Sequence, residues 1–321
     1  MKFKTLNLEP ADYSPEAREI IETRSYLKDG PITRTSLKED IGDYDCIIVR
    51  LGHKIDKDLL ENAKKLKVIV SATTGLNHID IEEAKSCGIV ILSLKGETEF
   101  LETVTATAEH TIGLMLSLIR QTPQAYNSVM DGKWDRNLFK GHDLFGKTLG
   151  IIGYGRLGKI VAKYAAAFGM TVIAYDIQNI NNDEPVESAS LNSVLSQSDI
   201  ITLHASYSPE NEGFIDKSCF DKMKKGAVFI NTARGEIIDE KALLEALETR
   251  HLSGAALDVI SNEQDLLTVP ISDNLLYKYA CKHENLILTP HIGGATYDSM
   301  YKTEVFMAHK LVEFFDQTKT S

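Results

Sequence analysis

The segment Thr148-Leu-Gly-Ile-Ile-Gly-Tyr-Gly-Arg-Leu-Gly158 joins a short apolar run to three closely spaced glycines. A helix-like segment follows, and then a second apolar run, Thr171-Val-Ile-Ala-Tyr-Asp176, which ends in a carboxylate. Glycines at this spacing are weak evidence alone, but here the complete strand–helix–strand context is present. This order of elements predicts a Rossmann unit that binds a dinucleotide.

Each glycine of this segment has its own physical task. Gly153 permits the tight turn out of the strand, Gly155 lets the backbone approach a pyrophosphate, and Gly158 lets the helix pack close to the sheet. The start of the helix offers free N–H groups and a positive dipole to the phosphates. Asp176 would accept hydrogen bonds from a ribose diol and repel a 2′-phosphate, which favours NAD over NADP. The alternative is a doubly wound domain whose glycine-rich turn binds no nucleotide.

The composition is that of an ordinary globular protein. The 321 residues suggest roughly two domains, and 43% of them are hydrophobic, which suffices for a sizeable core. The net charge of −11, with no basic tract to offset it, argues against nucleic acid or an anionic membrane as a partner. The N-terminus lacks the apolar core of a signal peptide, and no apolar run approaches the ~20 residues of a membrane span. These features predict a cytoplasmic protein.

The four cysteines, Cys46, Cys87, Cys219 and Cys281, are scattered along the chain. They form no CxxC pair, and no histidine-rich cluster accompanies them. Their spacing argues against a structural metal site and against a disulfide framework. We therefore expect reduced thiols, most of them buried, and no bound metal.

Strand-like and helix-like segments alternate along almost the whole chain, which predicts an α/β protein with parallel sheets. The segment Val104–Ile119 is apolar nearly all round, as expected of a buried helix. It could belong to a dimer interface or be a plain core helix, and the sequence does not separate the two. The dinucleotide domain begins near residue 102, in the middle of the chain.

Three candidate catalytic residues, Arg234, Glu263 and His291, each lie just past a separate predicted strand. Ligands of open α/β sheets bind beyond the carboxyl ends of the strands, so these side chains can converge on one crevice. Arg234 offers a planar fork for a carboxylate and can polarise a carbonyl oxygen. Histidine titrates near neutral pH, so His291 can exchange a proton with a hydroxyl or carbonyl, while Glu263 holds the imidazole. With a nicotinamide that carries the hydride, this chemistry is that of a 2-hydroxy acid dehydrogenase.

Each of these residues also has a simpler interpretation. Arg234 could pair with Glu236 or Asp239 on the surface, Glu263 could lie in a solvated loop, and His291 could cap the last helix. All three occurring together at strand ends favours the catalytic interpretation.

These motifs resemble those of the D-isomer-specific 2-hydroxyacid dehydrogenase family, which includes phosphoglycerate, glycerate, D-lactate and formate dehydrogenases. The resemblance covers nearly the whole chain, and the order of its motifs is highly specific. The segments that carry it are Ile48–Arg50, Ser71–Asp80, Ala106–His110, Thr148–Asp176, Asn231–Glu236, Ala256–Val259 and Pro290–Thr296.

The resemblance implies two doubly wound parallel-sheet domains. A Rossmann NAD-binding domain, residues 102–289, would be inserted in a discontinuous flavodoxin-like substrate-binding domain, residues 1–101 and 290–321. The active site would lie in the cleft between them, which closes on ligand. Family members are usually homodimers through the cofactor domain, which fits the apolar helix from Val104.

The resemblance also implies site residues. The catalytic trio would be Arg234, Glu263 and His291, with His291 as the acid/base. The positions that match cofactor contacts, besides the three glycines, are Thr74, Thr107, Arg156, Leu157, Asp176, Thr232, Ala233, Asp258 and Gly294. The positions that match substrate contacts are Arg50 and the backbone of Thr74 and Gly75, together with Arg234 and His291.

The chain departs from the family pattern in three places. Gln264 follows Glu263 where the family commonly has proline, and the segment 264–284 is longer than usual. That segment could be a lid, a partner surface or an ordinary insertion. The strand end Ala205–Tyr207 also differs from the usual proline-containing turn.

The leading hypothesis is therefore an NAD-dependent dehydrogenase of a small D-2-hydroxy acid, similar to phosphoglycerate dehydrogenase. One alternative is a nucleotide-sensing, non-enzymatic protein like the corepressor relatives of the family. Another is a dehydrogenase for a different small acid, such as formate or phosphite. The sequence leaves the substrate open, because Arg50 could bind a phosphate or second carboxylate or could equally form a structural ion pair.

Overall fold

The computed structural model describes residues 2–30, 33–180, 186–267 and 269–320. The chain divides into two compact units, the first of residues 1–104 and 296–321 and the second of residues 105–295. The predicted boundaries, after residue 101 and before residue 290, lie a few residues earlier. His291 therefore belongs to the second unit with Arg234 and Glu263, and not to the substrate-binding segment in which the predicted boundary put it.

Twelve strands in the described ranges form one sheet in each unit. The first unit contains β1 (Phe3–Asn7), β2 (Ser25–Asp29), β3 (Cys46–Val49), β4 (Val68–Ser71) and β5 (Val90–Ser93). The second contains β6 (Thr148–Ile152), β7 (Thr171–Tyr175), β8 (Val186–Ser188), β9 (Ile200–Leu203), β10 (Val228–Asn231), β11 (Gly254–Leu257) and β12 (Leu286–Leu288).

Thirteen α-helices in the same ranges surround the sheets. Those of the first unit's N-terminal segment are α1 (Pro15–Glu22), α2 (Arg34–Asp40), α3 (Lys57–Leu60), α4 (Ile81–Ser86) and α5 (Thr98–Leu101). Those of the second unit are α6 (Ala106–Ile119), α7 (Thr122–Met130), α8 (Arg156–Ala167), α9 (Leu191–Gln197), α10 (Lys217–Lys222), α11 (Glu240–Glu248) and α12 (Leu275–Ala280). The last helix, α13 (Tyr297–Thr320), returns to the first unit.

Both sheets have a doubly wound strand order. The first runs β2-β1-β3-β4-β5, which is the flavodoxin-like order. The second runs β8-β7-β6-β9-β10-β11-β12, which is the Rossmann order extended by one strand. All pairings between these strands are parallel. The predicted fold class is confirmed, and the strand order reverses between β1 and β3 in one sheet and between β6 and β9 in the other.

Helix α6 is a core helix of the second unit. Its residues Ala108, Ile112, Met115 and Leu118 are buried in the cluster that covers one face of the second sheet. The apolar character that allowed either a core helix or a dimer interface is thus accounted for within this unit, because the helix packs on α8 and β11.

Polar side chains cap the start of two helices of the chain. Asp239 is the N-cap of α11, where its side chain accepts hydrogen bonds from the backbone N–H groups of Lys241 and Ala242. Thr296 Oγ1 accepts from Ser299 N at 3.1 Å at the start of α13. The simpler interpretation of His291 as the cap of this helix is therefore wrong.

One smaller expectation needs correction, and one of the alternatives left open for the segment 264–284 is excluded for part of that segment. Cys46 and Cys219 are buried, but Cys87 and Cys281 are exposed, so the thiols are not mostly buried. The segment 264–284, of which residue 268 lies outside the described residues, contains α12, whose Leu276 and Tyr279 are buried in the second unit's core. Residues 275–280 are thus a packed helix and not a lid, because withdrawing them would expose this apolar surface.

Among the helices of the described ranges, none has both the length and the apolar character that a bilayer span requires.

Candidate active site

The glycine segment adopts the geometry that its sequence predicts. Gly153 has a φ of +95°, and a Cβ there would meet the backbone of Ala205 at 2.5 Å. A Cβ on Gly158 would come within 2.4 Å of Gly153 O, so the helix packs closely on the turn only because residue 158 is glycine. A Cβ on Gly155 would meet no described atom within 4 Å, which leaves the space beside this backbone open. That open space, at the N-terminus of α8, fits the approach of a pyrophosphate.

Asp176 directly follows β7, and its side chain holds the glycine turn that follows β6. Its Oδ2 accepts from Tyr154 N at 2.7 Å, and its Oδ1 accepts from Gln178 N at 2.9 Å. The carboxylate thus lies beside the glycine turn, at the switch point of the second sheet, where the ribose of a dinucleotide is expected. Arg156 and Leu157 are the first two residues of α8, and burial lowers the pKa of the Arg156 guanidinium from its ordinary value.

Arg234 lies on a braced turn after β10. The buried Asn231 holds this turn at both ends, because its Nδ2 donates to Arg234 O and its Oδ1 accepts from Ala233 N. In the described part of the chain the Arg234 guanidinium donates only to Ala233 O, at 2.7 Å. Burial lowers its pKa, and the nearby negative charges of Glu263 and Glu236 oppose this shift. Its remaining N–H donors are available to a carboxylate.

Glu263 lies on the segment that follows β11, and this segment is held in place by residues that follow β10. Glu240 Oε1 accepts from Ser261 N at 2.6 Å, and burial raises the pKa of the Glu240 carboxyl. A Cβ on Gly235 would overlap the backbone of Ile260 at 2.0 Å, so the turns after β10 and β11 pack against each other directly. This contact places Glu263 within electrostatic reach of Arg234.

His291 lies past β12 on a segment that is fixed by one carboxylate. Asp258 is buried, and its two oxygens accept from Thr289 Oγ1 at 2.6 Å, Ile292 N at 2.9 Å and Gly293 N at 2.7 Å. His110 Nε2 contacts the same carboxylate at 3.2 Å. These bonds lower the pKa of Asp258 from its ordinary value, although burial alone would raise it.

The segment carries His291 in a left-handed backbone conformation, with a φ of +53°. His291 N donates to Asp258 O at 2.9 Å, which ties the backbone of the two residues together. Left-handed geometry is uncommon for a non-glycine residue and is retained where the surroundings enforce it. Here it aims the imidazole back toward the turn that carries Glu263.

His291 and Glu263 form a short polar contact through their side chains. His291 Nδ1 lies 2.6 Å from Glu263 Oε1, and the two side chains are 22% and 27% exposed. An ionised carboxylate only accepts, so Nδ1 carries the proton of this bond and Nε2 faces away from it. The structure therefore brings together the predicted trio, despite Gln264 in place of proline.

Several of the predicted cofactor residues surround this trio. Thr111 Oγ1 joins Thr107 O to Thr232 Oγ1, with both distances at 2.8 Å, and so ties α6 to the turn after β10. A Cβ on Gly294 would approach only Thr107 Oγ1, at 3.9 Å. Thr107, Thr232, Ala233, Asp258 and Gly294 therefore all lie at the carboxyl edge of the second sheet.

The predicted substrate residues of the first unit lie at the carboxyl edge of its own sheet. Thr74 and Gly75 are in the loop after β4, where Thr73 Oγ1 donates to Gly75 O at 2.8 Å. Arg50 directly follows β3 and forms an ion pair with Glu304 of α13. Glu304 is fully buried, whereas the Arg50 side chain is 18% exposed.

Some supporting residues were missed from the sequence. Asn231 and His110 stand inside quoted motifs, so their positions were visible but their bonds were not. Glu240 and Glu304 lie on helices with nothing to distinguish them from solvated carboxylates. In the described ranges no group of three or more histidine, cysteine, aspartate or glutamate side chains could hold a metal ion.

Comparison with known families identifies the chain. Residues 112–293 match the family described as "D-isomer specific 2-hydroxyacid dehydrogenase, NAD binding domain". The chain belongs to this family, its second unit is an NAD-binding domain, and the family expected from the motifs is confirmed.

The relatives include several dehydrogenases and reductases. D-3-phosphoglycerate dehydrogenase of Methanocaldococcus jannaschii is 39% identical over 87% of this chain and 51% of its own length. Hydroxypyruvate reductase of Thermotoga maritima is 35% identical over 92% of this chain and 94% of its own. The structure of D-lactate dehydrogenase from Aquifex aeolicus, with NAD and lactic acid, superposes with a TM-score of 0.85 at 27% identity, covering 98% and 96% of the two chains. The chain spans about half the length of the phosphoglycerate dehydrogenases that it matches.

Proposed function

We propose that the protein is an NAD-dependent dehydrogenase that interconverts a small D-2-hydroxy acid and its 2-keto acid. The observation that carries this proposal is the 2.6 Å contact of His291 with Glu263, within electrostatic reach of the Arg234 guanidinium, which keeps N–H donors for a substrate. This is the group set that carbonyl reduction needs: a proton donor, a residue that orients it, and a cation for the substrate carboxylate.

In the direction of reduction, Arg234 binds the substrate carboxylate through its remaining N–H donors and polarises the carbonyl. His291 donates the Nε2 proton to the carbonyl oxygen as the alcohol forms, and Glu263 stabilises and orients the imidazolium through Nδ1. In the reverse direction His291 takes the hydroxyl proton. Reduced NAD, when bound, supplies the hydride.

The second unit's residues fit this cofactor. The open backbone at Gly155 and the N-terminus of α8 suit the pyrophosphate, and Asp176 suits the ribose diol of NAD. Arg156, Leu157, Thr232, Ala233, Asp258, Gly294 and Thr107 are proposed to complete the contacts, with Thr74 from the first unit. Arg50, Thr74 and Gly75 are proposed to border the substrate.

We further propose a homodimer that acts in the cytoplasm. Because the apolar residues of α6 are buried in the core of the second unit, we favour a different surface as the dimer interface, formed by the segment 122–145 of the same unit. It exposes Tyr126, Val129, Met130, Trp134, Leu138 and Phe145, and Trp134 is 90% exposed. An exposed apolar patch of this kind is typical of a protein–protein interface. Analytical ultracentrifugation should give twice the chain mass for the wild type and a monomer for Trp134→Asp, with Tyr26→Asp in the first unit as the control.

The activity is tested by following NADH oxidation with a panel of 2-keto acids, and the same panel is assayed with NADPH. Formate and phosphite are assayed by following the reduction of NAD. Turnover of a 2-keto acid with NADH in preference to NADPH supports the proposal. NADH binding without turnover of any acid would contradict it and favour a nucleotide-sensing protein.

A further inference from the structure

The switch point of the first sheet carries an unusual charge arrangement. Ligands of doubly wound sheets bind beyond the carboxyl ends of the strands at the point where the strand order reverses, which here lies between β1 and β3. Glu9 stands just after β1, and Arg50 stands just after β3. Arg50 is the cation that an anionic group of a substrate would need at this edge.

The charge of Arg50 is already neutralised from within the unit. Its guanidinium is paired with Glu304, whose carboxylate is fully buried in α13. The other oxygen of Glu304 accepts from Ser14 N at 2.6 Å, in the turn that begins α1. The carboxylate is therefore held in place by a backbone donor and is not free to withdraw when a second anion arrives.

The backbone donors at the same edge are also occupied. Glu9 Oε1 accepts from Arg50 N at 2.7 Å and from Gly52 N at 3.1 Å. Exposed N–H groups after a strand commonly hold the oxygens of an anion, and here a carboxylate of the chain takes that place. The edge thus combines one guanidinium with two carboxylates, and Asp12 lies near enough to act on the same guanidinium.

The other cations nearby do not reverse this balance. Arg18 is paired with Asp29 at 2.7 Å, and Lys54 is exposed to solvent. A phosphate at Arg50 would face Glu9 and Glu304 at close range, and juxtaposed like charges strongly disfavour binding. Displacing Glu304 instead would leave a buried carboxylate unpaired.

We infer that Arg50 and Glu304 act together as a specificity device, so that the substrate carries an uncharged group here and no phosphate or second carboxylate. This inference rests on the proposed function, because it selects a class within the 2-keto acids: short acids with an alkyl or hydroxymethyl group. Rejection by a fixed like charge is a recognised source of specificity.

The test compares two 2-keto acids that differ by one phosphate, hydroxypyruvate and 3-phosphohydroxypyruvate, as substrates of NADH oxidation. For the wild type we expect kcat/KM to favour hydroxypyruvate by at least about tenfold. Glu304→Gln keeps an acceptor for Ser14 N and removes the charge, so Arg50 becomes free. We expect this variant to shift the ratio toward the phosphorylated acid by at least about tenfold. Glu313→Gln, an exposed residue of the same helix, should leave the ratio unchanged.

A wild type that reduces the phosphorylated acid at least as well as hydroxypyruvate would overturn the inference and leave the proposed dehydrogenase intact. An unchanged ratio in Glu304→Gln would overturn it too. Reduction of neither acid would count against the proposed function, and the thermal shift with 3-phosphoglycerate and glycerate then decides the inference. If 3-phosphoglycerate raises the melting temperature of Glu304→Gln but not that of the wild type, the inference is supported. If it raises both melting temperatures equally, or neither, the inference is contradicted.

Discussion

Two arginines follow parallel strands in the two sheets, and their surroundings differ. Arg234 of the second unit is held through its backbone by Asn231, and its guanidinium keeps uncommitted donors. Arg50 of the first unit is held through its side chain by the buried Glu304. We infer that the same residue type at the same kind of sheet edge is available to a ligand in one unit and stabilises the fold in the other. The two arginines differ in that Arg50 forms an ion pair with a buried carboxylate, whereas Arg234 forms none with the described residues.

The largest effect is expected at His291, the proposed acid/base of the second unit. His291→Asn retains a residue that tolerates left-handed backbone but removes the exchangeable proton. We expect kcat to fall by about 10²- to 10⁴-fold, because general acid–base catalysis is lost, while NADH still binds. Steady-state kinetics and NADH fluorescence titration measure the two quantities. His142→Asn, at an exposed histidine of the same unit, is the control, and full turnover in His291→Asn would contradict the mechanism.

A stability effect is expected at Arg50. Arg50→Gln leaves Glu304 charged and unpaired in the first unit's interior, which should lower the free energy of unfolding by about 3–5 kcal/mol. The double variant Arg50→Gln/Glu304→Gln should recover most of this loss, since the unpaired charge is gone. Urea unfolding measures both.

The control for this pair is Arg24→Gln, which breaks the ion pair of Arg24 with Asp316 in the same unit, where both side chains are well exposed. It should cause no comparable loss. An Arg50→Gln variant as stable as the wild type would show that Glu304 does not depend on Arg50.

A pH-dependent effect is expected at Asp258. Its pKa is lowered in the folded state, so its stabilising contribution is present above the unfolded pKa of about 3.9 and is lost as the pH falls through the folded value. Asp258→Asn cannot accept at both oxygens, and we expect a loss of about 1–3 kcal/mol at neutral pH. Urea unfolding from pH 7 down to pH 3 should show that the difference in unfolding free energy between the wild type and Asp258→Asn shrinks as the pH falls. A difference that stays constant with pH, or one no larger than that caused by the exposed Asp143→Asn, would refute the stabilising role of the Asp258 carboxylate.

The smallest effect is expected in the glycine turn, where substitution of one glycine should weaken NADH binding and substitution of another should weaken the fold. Gly155→Ala places a Cβ in open space, so the unfolding free energy should hardly change, while the Kd for NADH rises by about tenfold because the pyrophosphate loses its close approach. Gly158→Ala should destabilise the fold itself, because its Cβ would meet Gly153 O at 2.4 Å. Unchanged NADH affinity in Gly155→Ala would argue against the proposed phosphate site.

The sequence predicted the second unit better than the first. A complete strand–helix–strand unit and three polar strand ends lie in residues 148–291, and parallel sheets bring such strand ends to one edge. In the first 45 residues, β1 and β2 carried no recognised signal, because Phe3–Asn7 and Ser25–Asp29 are short and partly polar. Glu304 could not be predicted as the partner of Arg50, since the two residues are distant in sequence and meet only when α13 packs on the first sheet.

The residues of the candidate site could thus be named from the sequence, whereas the charges that surround them could not. The pattern of strand ends names Arg234, Glu263 and His291, but it contains nothing about Glu240 or Asn231, which hold their loops. It left both roles of Arg50 open for the same reason, because the neutralising carboxylates come from elements that the sequence separates.

The most direct measurement of the difference between the two arginines is kcat/KM for a 2-keto acid together with urea unfolding of Arg234→Gln. We expect kcat/KM to fall by at least about 10²-fold with little change in the free energy of unfolding, because the lost charge-assisted bonds are made only to substrate. Arg250→Gln, at an exposed arginine of the same unit, should change neither. Full kcat/KM in Arg234→Gln, or a loss of stability like that expected for Arg50→Gln, would contradict the proposed role of Arg234 in substrate binding.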